Sequence, residues 1–160
     1  MATVQRITPC LWFDNQAEDA AKFYVSIFKN AKLGAVSHYG KWGGAKEGTV
    51  LVVEFEIEGQ QFRGLNGGPQ FKFSEAISFY VNCDSQAEID DYWAKLTADG
   101  GEEGPCGWVK DKFGVSWQIV PAKIVDMVSH PDQNKSGRVM QAVMQMKKLD
   151  LAVLEKAFAG

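Results

Sequence analysis

The sequence predicts an α+β fold made of two strand–helix–strand–strand–strand units followed by C-terminal helices. The first observation is a repeat: the pattern D-x-Q-A-E occurs at residues 14–18 and again at residues 84–88. The second is its context, because an apolar strand-like segment precedes each copy, an amphipathic helix begins there and further strand-like segments follow. Ile7 and Ile77 match at the same offset of 70 residues. We therefore interpret the chain as a duplicated unit.

The first unit contains one helix and four strand-like segments. Pro9 lies inside the first segment and indicates an edge position or a bulge. The helix carries apolar residues at helical spacing from Ala17 to Phe28, and Asp14 or Asn15 is the expected N-cap. A glycine-rich loop is expected at residues 40–48. The predicted strands are residues 4–13, 35–39, 49–57 and 60–65.

The second unit repeats this order and continues into helices. Gly100-Gly101 is the expected end of its first helix. The buried face of that helix is expected to hold Ile89, Tyr92, Trp93 and Leu96, and the predicted strands are residues 76–83, 108–110 and 115–120. A later helix is expected to bury Val139, Met140, Val143 and Met144. Asp150 is the expected cap of a short last helix at residues 151–158.

The composition is that of a globular protein with a mild negative charge. The 160 residues include 17 Lys and Arg against 20 Asp and Glu, which gives a net charge of −3, and 46% are hydrophobic. This balance lacks the basic footprint of a general nucleic-acid binder, and no apolar run approaches the roughly 20 residues of a membrane span. The three cysteines form no CxxC pair, and residues 1–5 lack the features of a signal peptide. We therefore expect a cytoplasmic protein without nucleic-acid or membrane partners.

One helix covers only one face of a sheet, so each unit keeps a second face that must be buried elsewhere. We expect the two sheets to curve around a cleft lined by these inner faces, since ligand sites favour such concave surfaces. The expected organisation is a first module at residues 1–70, a second at residues 71–122 and a helical extension at residues 123–160, all within one compact domain.

Five stretches carry a resemblance to a known family. They are ITPCLWFDNQAEDAAKFY at residues 7–24, LNGGP at 65–69, FKFSEAISFYVNC at 71–83, DKFGVSWQIV at 111–120 and GRVMQAVMQMKKLD at 137–150. In these stretches the chain resembles the vicinal oxygen chelate superfamily, which includes glyoxalase I, bleomycin-resistance proteins and extradiol dioxygenases. The nearer resemblance is to its PhnB-like branch, often labelled demethylubiquinone methyltransferase. The resemblance implies paired βαβββ modules, within one chain or swapped across a homodimer, and a divalent metal held by His and Glu or Gln.

The residues at the metal-ligand positions implied by this resemblance do not suit a metal. Those positions fall at Ile7, Thr8 or Pro9, at Ile77 or Ser78, at Leu65 or Asn66, and at Gln118. Aliphatic side chains cannot bind a metal ion, and neutral hydroxyls and amides are weak ligands. We therefore predict no metal and no other cofactor, with His38 and Glu54 as the fallback metal pair.

Two other chemistries find little support in the sequence. A nucleotide-like methyl donor usually needs a parallel α/β sheet with a glycine-rich turn at the end of the first strand. None of the three Gly-Gly pairs stands between a parallel strand and a helix, so we reject methyl transfer. Cys10 and Cys83 are expected to act as small hydrophobes in strands. Nucleophilic activation of Cys106, in a loop, would need His38 close in space.

The remaining signal is aromatic, because Trp and Phe residues lie on or beside predicted strands and give the expected cleft an apolar lining with a few polar groups. The predicted ligand-binding residues are Trp12, Asn66, Ser78, Trp117 and Gln118. We expect a metal-free binding protein for an unidentified apolar or aromatic small molecule. The alternative is a metal-dependent lyase, isomerase or dioxygenase that uses His38 and Glu54. A structural or interaction module is the third hypothesis, and the sequence leaves open whether any reaction is catalysed.

Overall fold

The computed structural model describes residues 4–160 and confirms the α+β class, with two four-stranded mixed sheets and five α-helices in those residues. Its contacts divide the chain into two compact units, one ending at Phe73 and one running from Ser74 to Gly160. The helices that follow residue 122 belong to the second unit. No helix in the described part of the chain combines the length and apolar character needed to cross a bilayer.

The first unit has the predicted strand–helix–strand–strand–strand order. Its elements are β1 (Cys10–Phe13), α1 (Ala17–Ile27), β2 (Ala31–His38), β3 (Val50–Ile57) and β4 (Gln60–Asn66). The strands lie in the order β1-β4-β3-β2, with β1 parallel to β4 and the other pairs antiparallel. The predicted loop between β2 and β3 contains a 3₁₀ turn at Lys41–Lys46.

The second unit repeats this arrangement strand for strand. Its elements are β5 (Phe79–Cys83), α2 (Gln86–Thr97), β6 (Glu102–Glu103), β7 (Trp108–Lys110), β8 (Ser116–Pro121), α3 (Ile124–Val128), α4 (Gln133–Met144) and α5 (Leu151–Ala159). The sheet order β5-β8-β7-β6 again places the first and last strands of the unit side by side in parallel. This common order supports the duplication inferred from the repeat.

Each sheet packs its helix on one face only. In the first unit, Tyr24 of α1 lies against Phe55, with 5.9 Å between the ring centroids. Ala17 of α1 lies close to β4, since a Cβ added at Gly64 would be 3.1 Å from the Cβ of Ala17. In the second unit, the indole nitrogen of Trp93 on α2 donates a 2.9 Å hydrogen bond to Glu103 on β6. Successive residues of a strand point to opposite faces of the sheet. Phe55, Gly64 and Glu103 therefore mark the helix-facing positions of their strands, and their register partners on neighbouring strands face the helix as well. We call the other face of each sheet the open face.

The two helices of the repeat begin with different capping groups. Ser85 caps α2 by accepting from the Glu88 N–H at 3.2 Å, and the Glu88 carboxylate accepts from the Asp84 N–H at 2.8 Å, which is a capping box. The residue before α1 is Gln16, which makes no side-chain capping bond. The prediction of Asp14 or Asn15 as the cap of α1 is therefore wrong. The amide oxygen of Asn66 accepts the Ala17 N–H at 2.8 Å instead.

Several predicted boundaries and one predicted face need correction. Neither residues 4–9 nor residues 76–78 belong to a strand, and the matched residues Ile7 and Ile77 are 86% and 75% exposed. The two-residue strand β6 was missed. On α4, Val139 and Val143 are buried with the other C-terminal helices, whereas Met140 and Met144 are exposed. The cap of α5 is confirmed, because Asp150 accepts the Val153 N–H at 3.1 Å.

We predict that Asn66→Ala destabilises the first unit. Its amide also donates to the Val50 carbonyl at 3.1 Å, so the substitution removes a hydrogen-bond partner from two backbone groups. The free energy of unfolding should fall by about 1–3 kcal/mol in urea titrations. Asn134→Ala, at an exposed position whose backbone makes the capping contact, should change it by less than about 0.5 kcal/mol. Equal effects of the two variants would contradict this role of Asn66.

Candidate functional site

The open face of the second sheet carries a row of one amide between two aromatic side chains. Trp108 on β7 and Tyr80 on β5 are both register partners of Gln118 on β8, so the three side chains stand next to each other on one face. With strands about 4.8 Å apart, the two aromatic residues are separated by roughly 10 Å. The Gln118 amide donates to the Ser78 hydroxyl at 2.9 Å, which fixes the orientation of the amide.

A second row on the same face borders a cavity of about 340 Å³. It consists of Glu102, Lys110 and Ser116, which are register partners across β6, β7 and β8. All three line the cavity together with Trp108, Pro105 and Glu75. The aromatic row and the cavity therefore adjoin at Trp108.

One ion pair bridges the rim of this cavity. The Lys110 ammonium lies 2.5 Å from the Glu75 carboxylate. Its hydrogen bond lowers the pKa of Glu75 below the ordinary value, and the same bond raises the pKa of Lys110. Both groups are therefore charged at neutral pH, and the charge of Lys110 is already matched.

The sequence prediction placed the wrong tryptophan beside Gln118. Trp117 is adjacent to Gln118 on β8 and so points to the opposite, helix-covered face. It is 3% exposed, and its indole nitrogen donates to the buried Asp111 carboxylate at 2.9 Å. The prediction that Trp117 shares a surface with Gln118 is wrong, and Trp108 takes that position. The sequence did hold a signal for this position. Pairing residues outward from the β7–β8 turn places Trp108 opposite Gln118.

In the first unit, Trp12 and Asn66 are also on opposite faces. Trp12 is the register partner of Leu65 and lies on the open face, where its indole nitrogen donates to the Gly68 carbonyl at 2.8 Å and its ring meets Phe71 edge-on at 4.9 Å. Asn66 points towards α1, is 7% exposed and uses its amide on Ala17 and Val50. The expectation that Asn66 presents a free amide to a ligand is therefore wrong.

The fallback metal pair is not brought together. His38 pairs with Val50 and Glu54 with Arg63, so the two positions are four residues apart along β3, or about 13 Å. The Glu54 carboxylate also forms a 2.8 Å salt bridge with Arg63. Within residues 4–160, no three His, Cys, Asp or Glu side chains are grouped so that they could hold a metal ion.

The first unit has a polar cavity of its own, of about 510 Å³, at the start of α1. Charged groups of both signs line it, among them Asp14, Glu18 and Lys46. Tyr39, which also lines it, donates its hydroxyl to the Asn66 carbonyl at 2.5 Å. Because its polar tyrosine is used within the fold, this cavity is a weaker candidate for an apolar ligand than the one beside Trp108.

The three cysteines have different surroundings. Cys83 is buried, and burial raises the pKa of its thiol to about 12. Cys106 is partly buried against the C-terminal helices and has a φ of +58°. Cys10 is exposed, so the expectation that it is a buried hydrophobe is wrong.

These surroundings predict selective alkylation. At about pH 8 the Cys83 thiolate fraction is about one in ten thousand, so iodoacetamide should modify Cys10 and leave Cys83 unmodified in the native protein. Peptide mass spectrometry after a short exposure measures both. Unfolding in guanidinium before labelling should equalise the rates, and rapid native labelling of Cys83 would contradict its burial.

The comparisons with known proteins cover most of the chain. The family model described as 3-demethylubiquinone-9 3-methyltransferase matches residues 5–120. The PhnB protein from Bacillus cereus is 37% identical, with a TM-score of 0.65, and the match covers 74% of this chain and 100% of that one. Protein PA1353 from Pseudomonas aeruginosa is 20% identical, with a TM-score of 0.57 and coverage of 71% and 95%. Comparison with curated proteins gives no match.

A third solved structure carries a metal. The fosfomycin resistance protein FosX from Listeria monocytogenes, complexed with Mn(II) and sulfate, is 17% identical, with a TM-score of 0.47 and coverage of 73% of this chain and 87% of that one. The manganese is a property of FosX. A likeness at this level transfers no ligand to the present chain.

Proposed function

We propose that this chain, which belongs to the PhnB-like 3-demethylubiquinone-9 3-methyltransferase family, binds an apolar or aromatic small molecule without a metal. The site is the open face of its second sheet. The observation that carries the proposal is the row of Trp108, Gln118 and Tyr80 beside the cavity.

The physical chemistry of this row suits a flat ligand. Aromatic rings offer a large, rigid contact area at low entropic cost, and a fixed amide between them can orient a ligand by hydrogen bonding. Tyr80 is 45% exposed, so part of its ring is available for contact. The cavity volume of about 340 Å³ lies within the range of small-molecule sites, roughly 300–1,000 Å³.

The family description names a methyltransferase, but this chain offers little support for methyl transfer. Each sheet has a single parallel strand pair, whereas nucleotide-like donors are usually held by a parallel sheet with a glycine-rich turn. The turns that lead from β1 to α1 and from β5 to α2, residues 14–16 and 84–85, contain no glycine. Binding is the activity that the open face supports.

The metal-dependent alternative loses its proposed ligands. His38 on β2 lies opposite Val50, four residues along β3 from Glu54, and the Glu54 carboxylate forms a salt bridge with Arg63. At the position that the superfamily resemblance assigns to a glutamate, Gln118 donates to Ser78, and its amide is a weak neutral ligand. We therefore propose binding without a metal.

The proposal predicts that Trp108→Ala weakens binding of N-phenyl-1-naphthylamine, a neutral probe that fluoresces in apolar sites. Loss of the indole contact should raise the dissociation constant about tenfold, which corresponds to about 1.4 kcal/mol. Fluorescence titration of wild-type and variant protein measures the change.

Trp117→Phe is the matched control. It removes the hydrogen bond to Asp111, so the free energy of unfolding should fall by about 1–3 kcal/mol while the probe affinity of the folded protein stays unchanged. A probe affinity that depends on Trp117 and not on Trp108, or no probe binding by the wild type, would overturn the proposed site.

The superfamily resemblance also predicts a homodimer. Light scattering during size-exclusion chromatography should then give about twice the chain mass of 17.7 kDa. A single species at the chain mass across the accessible concentration range would contradict self-association.

A further inference from the structure

We propose that the cavity beside Trp108 selects a neutral aromatic molecule that carries one hydrogen-bonding oxygen, and that Ser116 is the residue that selects it. This inference rests on the proposed function and specifies the chemical class of the ligand. The ligand class is a phenol or an aromatic ketone rather than a hydrocarbon, a carboxylate or an ammonium compound.

The Ser116 hydroxyl is the observation that carries the inference. Ser116 is 2% exposed and lines the cavity. Its Oγ is the one buried side-chain nitrogen or oxygen without a hydrogen-bond partner among residues 4–160. Buried polar groups are nearly always paired, because an unpaired group keeps the cost of its desolvation. A ligand oxygen in the cavity can provide the missing partner after rotation of Ser116 about a single side-chain bond.

The charges around the cavity disfavour an anionic ligand. Glu75, Glu102 and Lys110 line it with their side chains on the open face, whereas the Glu103 carboxylate is turned to Trp93 on the helix-covered face. The Lys110 ammonium is already 2.5 Å from Glu75. A ligand carboxylate would therefore enter beside the Glu102 carboxylate without a free cation to meet it.

The strand register disfavours a cationic ligand group at the Ser116 hydroxyl. Lys110 stands between Glu102 and Ser116 in their shared row, so the charged group beside Ser116 on that row is an ammonium. A ligand ammonium at the Ser116 hydroxyl would face the Lys110 ammonium one strand away, and the Glu75 carboxylate is already occupied by that lysine. A neutral oxygen meets neither penalty. The Trp108 ring and Pro105, which also line the cavity, suit the apolar remainder of the ligand.

The test compares four naphthalene derivatives that differ in one substituent. At about pH 7, where naphthol is neutral, calorimetry or ligand-observed NMR should show 2-naphthol binding the wild type about 3- to 10-fold more tightly than naphthalene, which is the gain expected from one hydrogen bond. 2-Naphthoate and 2-naphthylmethylammonium should bind no more tightly than naphthalene.

Ser116→Ala should abolish the preference for 2-naphthol while naphthalene binding is retained. Its unfolding midpoint should be equal to or above that of the wild type, because it removes a hydroxyl that has no partner to lose. Ser129→Ala, at an exposed hydroxyl that donates to the Val125 carbonyl, is the matched control and should keep the preference.

The possible outcomes separate the two proposals. A preference for 2-naphthol that survives Ser116→Ala, or tighter binding of either charged compound, overturns the role of Ser116. Equal binding of naphthalene and 2-naphthol by the wild type overturns the selection and leaves the apolar site intact. If none of the four compounds binds, the proposed function fails along with this inference.

Discussion

The structure depends on the constraint that a β-sheet has two faces and one helix covers only one of them. In both units the helix packs on one face of the sheet. It buries alternate residues of the strands beneath it, such as Val53 and Phe55 on β3, and the intervening residues belong to the open face. In the second unit, neighbouring residues of β8 point to opposite faces of the sheet: Trp117 is in the core, and Gln118 is on the open face. This division is the reason for proposing the ligand site on the open face.

Close packing of α1 also explains why Asn66 belongs to the fold. Ala17 lies against Gly64, where an added Cβ would be only 3.1 Å from the Ala17 Cβ, so the start of the helix is held next to the end of β4. At that distance a side chain on β4 can satisfy the first helical N–H, and Asn66 does so while bonding Val50 as well. In the sequence, Asn66 is followed by Gly67-Gly68-Pro69. This pattern is typical of an exposed loop, so the sequence does not indicate the structural role of the Asn66 amide.

The sequence predicted the repeat, the helices and the order of the strands because these depend on local periodicity and capping. It could not predict where β1 and β5 begin, since the apolar residues Ile7 and Ile77 resemble strand residues although they are exposed. It could not assign the faces of β8 either. Five of the six residues of that strand are buried, so its polarity does not alternate, and the orientation of Trp117 depends on pairing with β7 and β5. The candidate site was therefore predicted in part: Gln118 and Ser78 are on it, and Trp108 replaces Trp117.

Asp111 and Ser116 are two equally buried polar residues, one with hydrogen-bond partners within the fold and one without. Both are 2% exposed and stand on either side of the β7–β8 turn. The Asp111 carboxylate accepts the N–H groups of Phe113 and Val115 and the Trp117 indole, so its burial is compensated by the fold itself. Ser116 has the same burial and no such compensation. Because the fold gains no hydrogen bond from that hydroxyl, we infer that its partner is a ligand atom in the cavity.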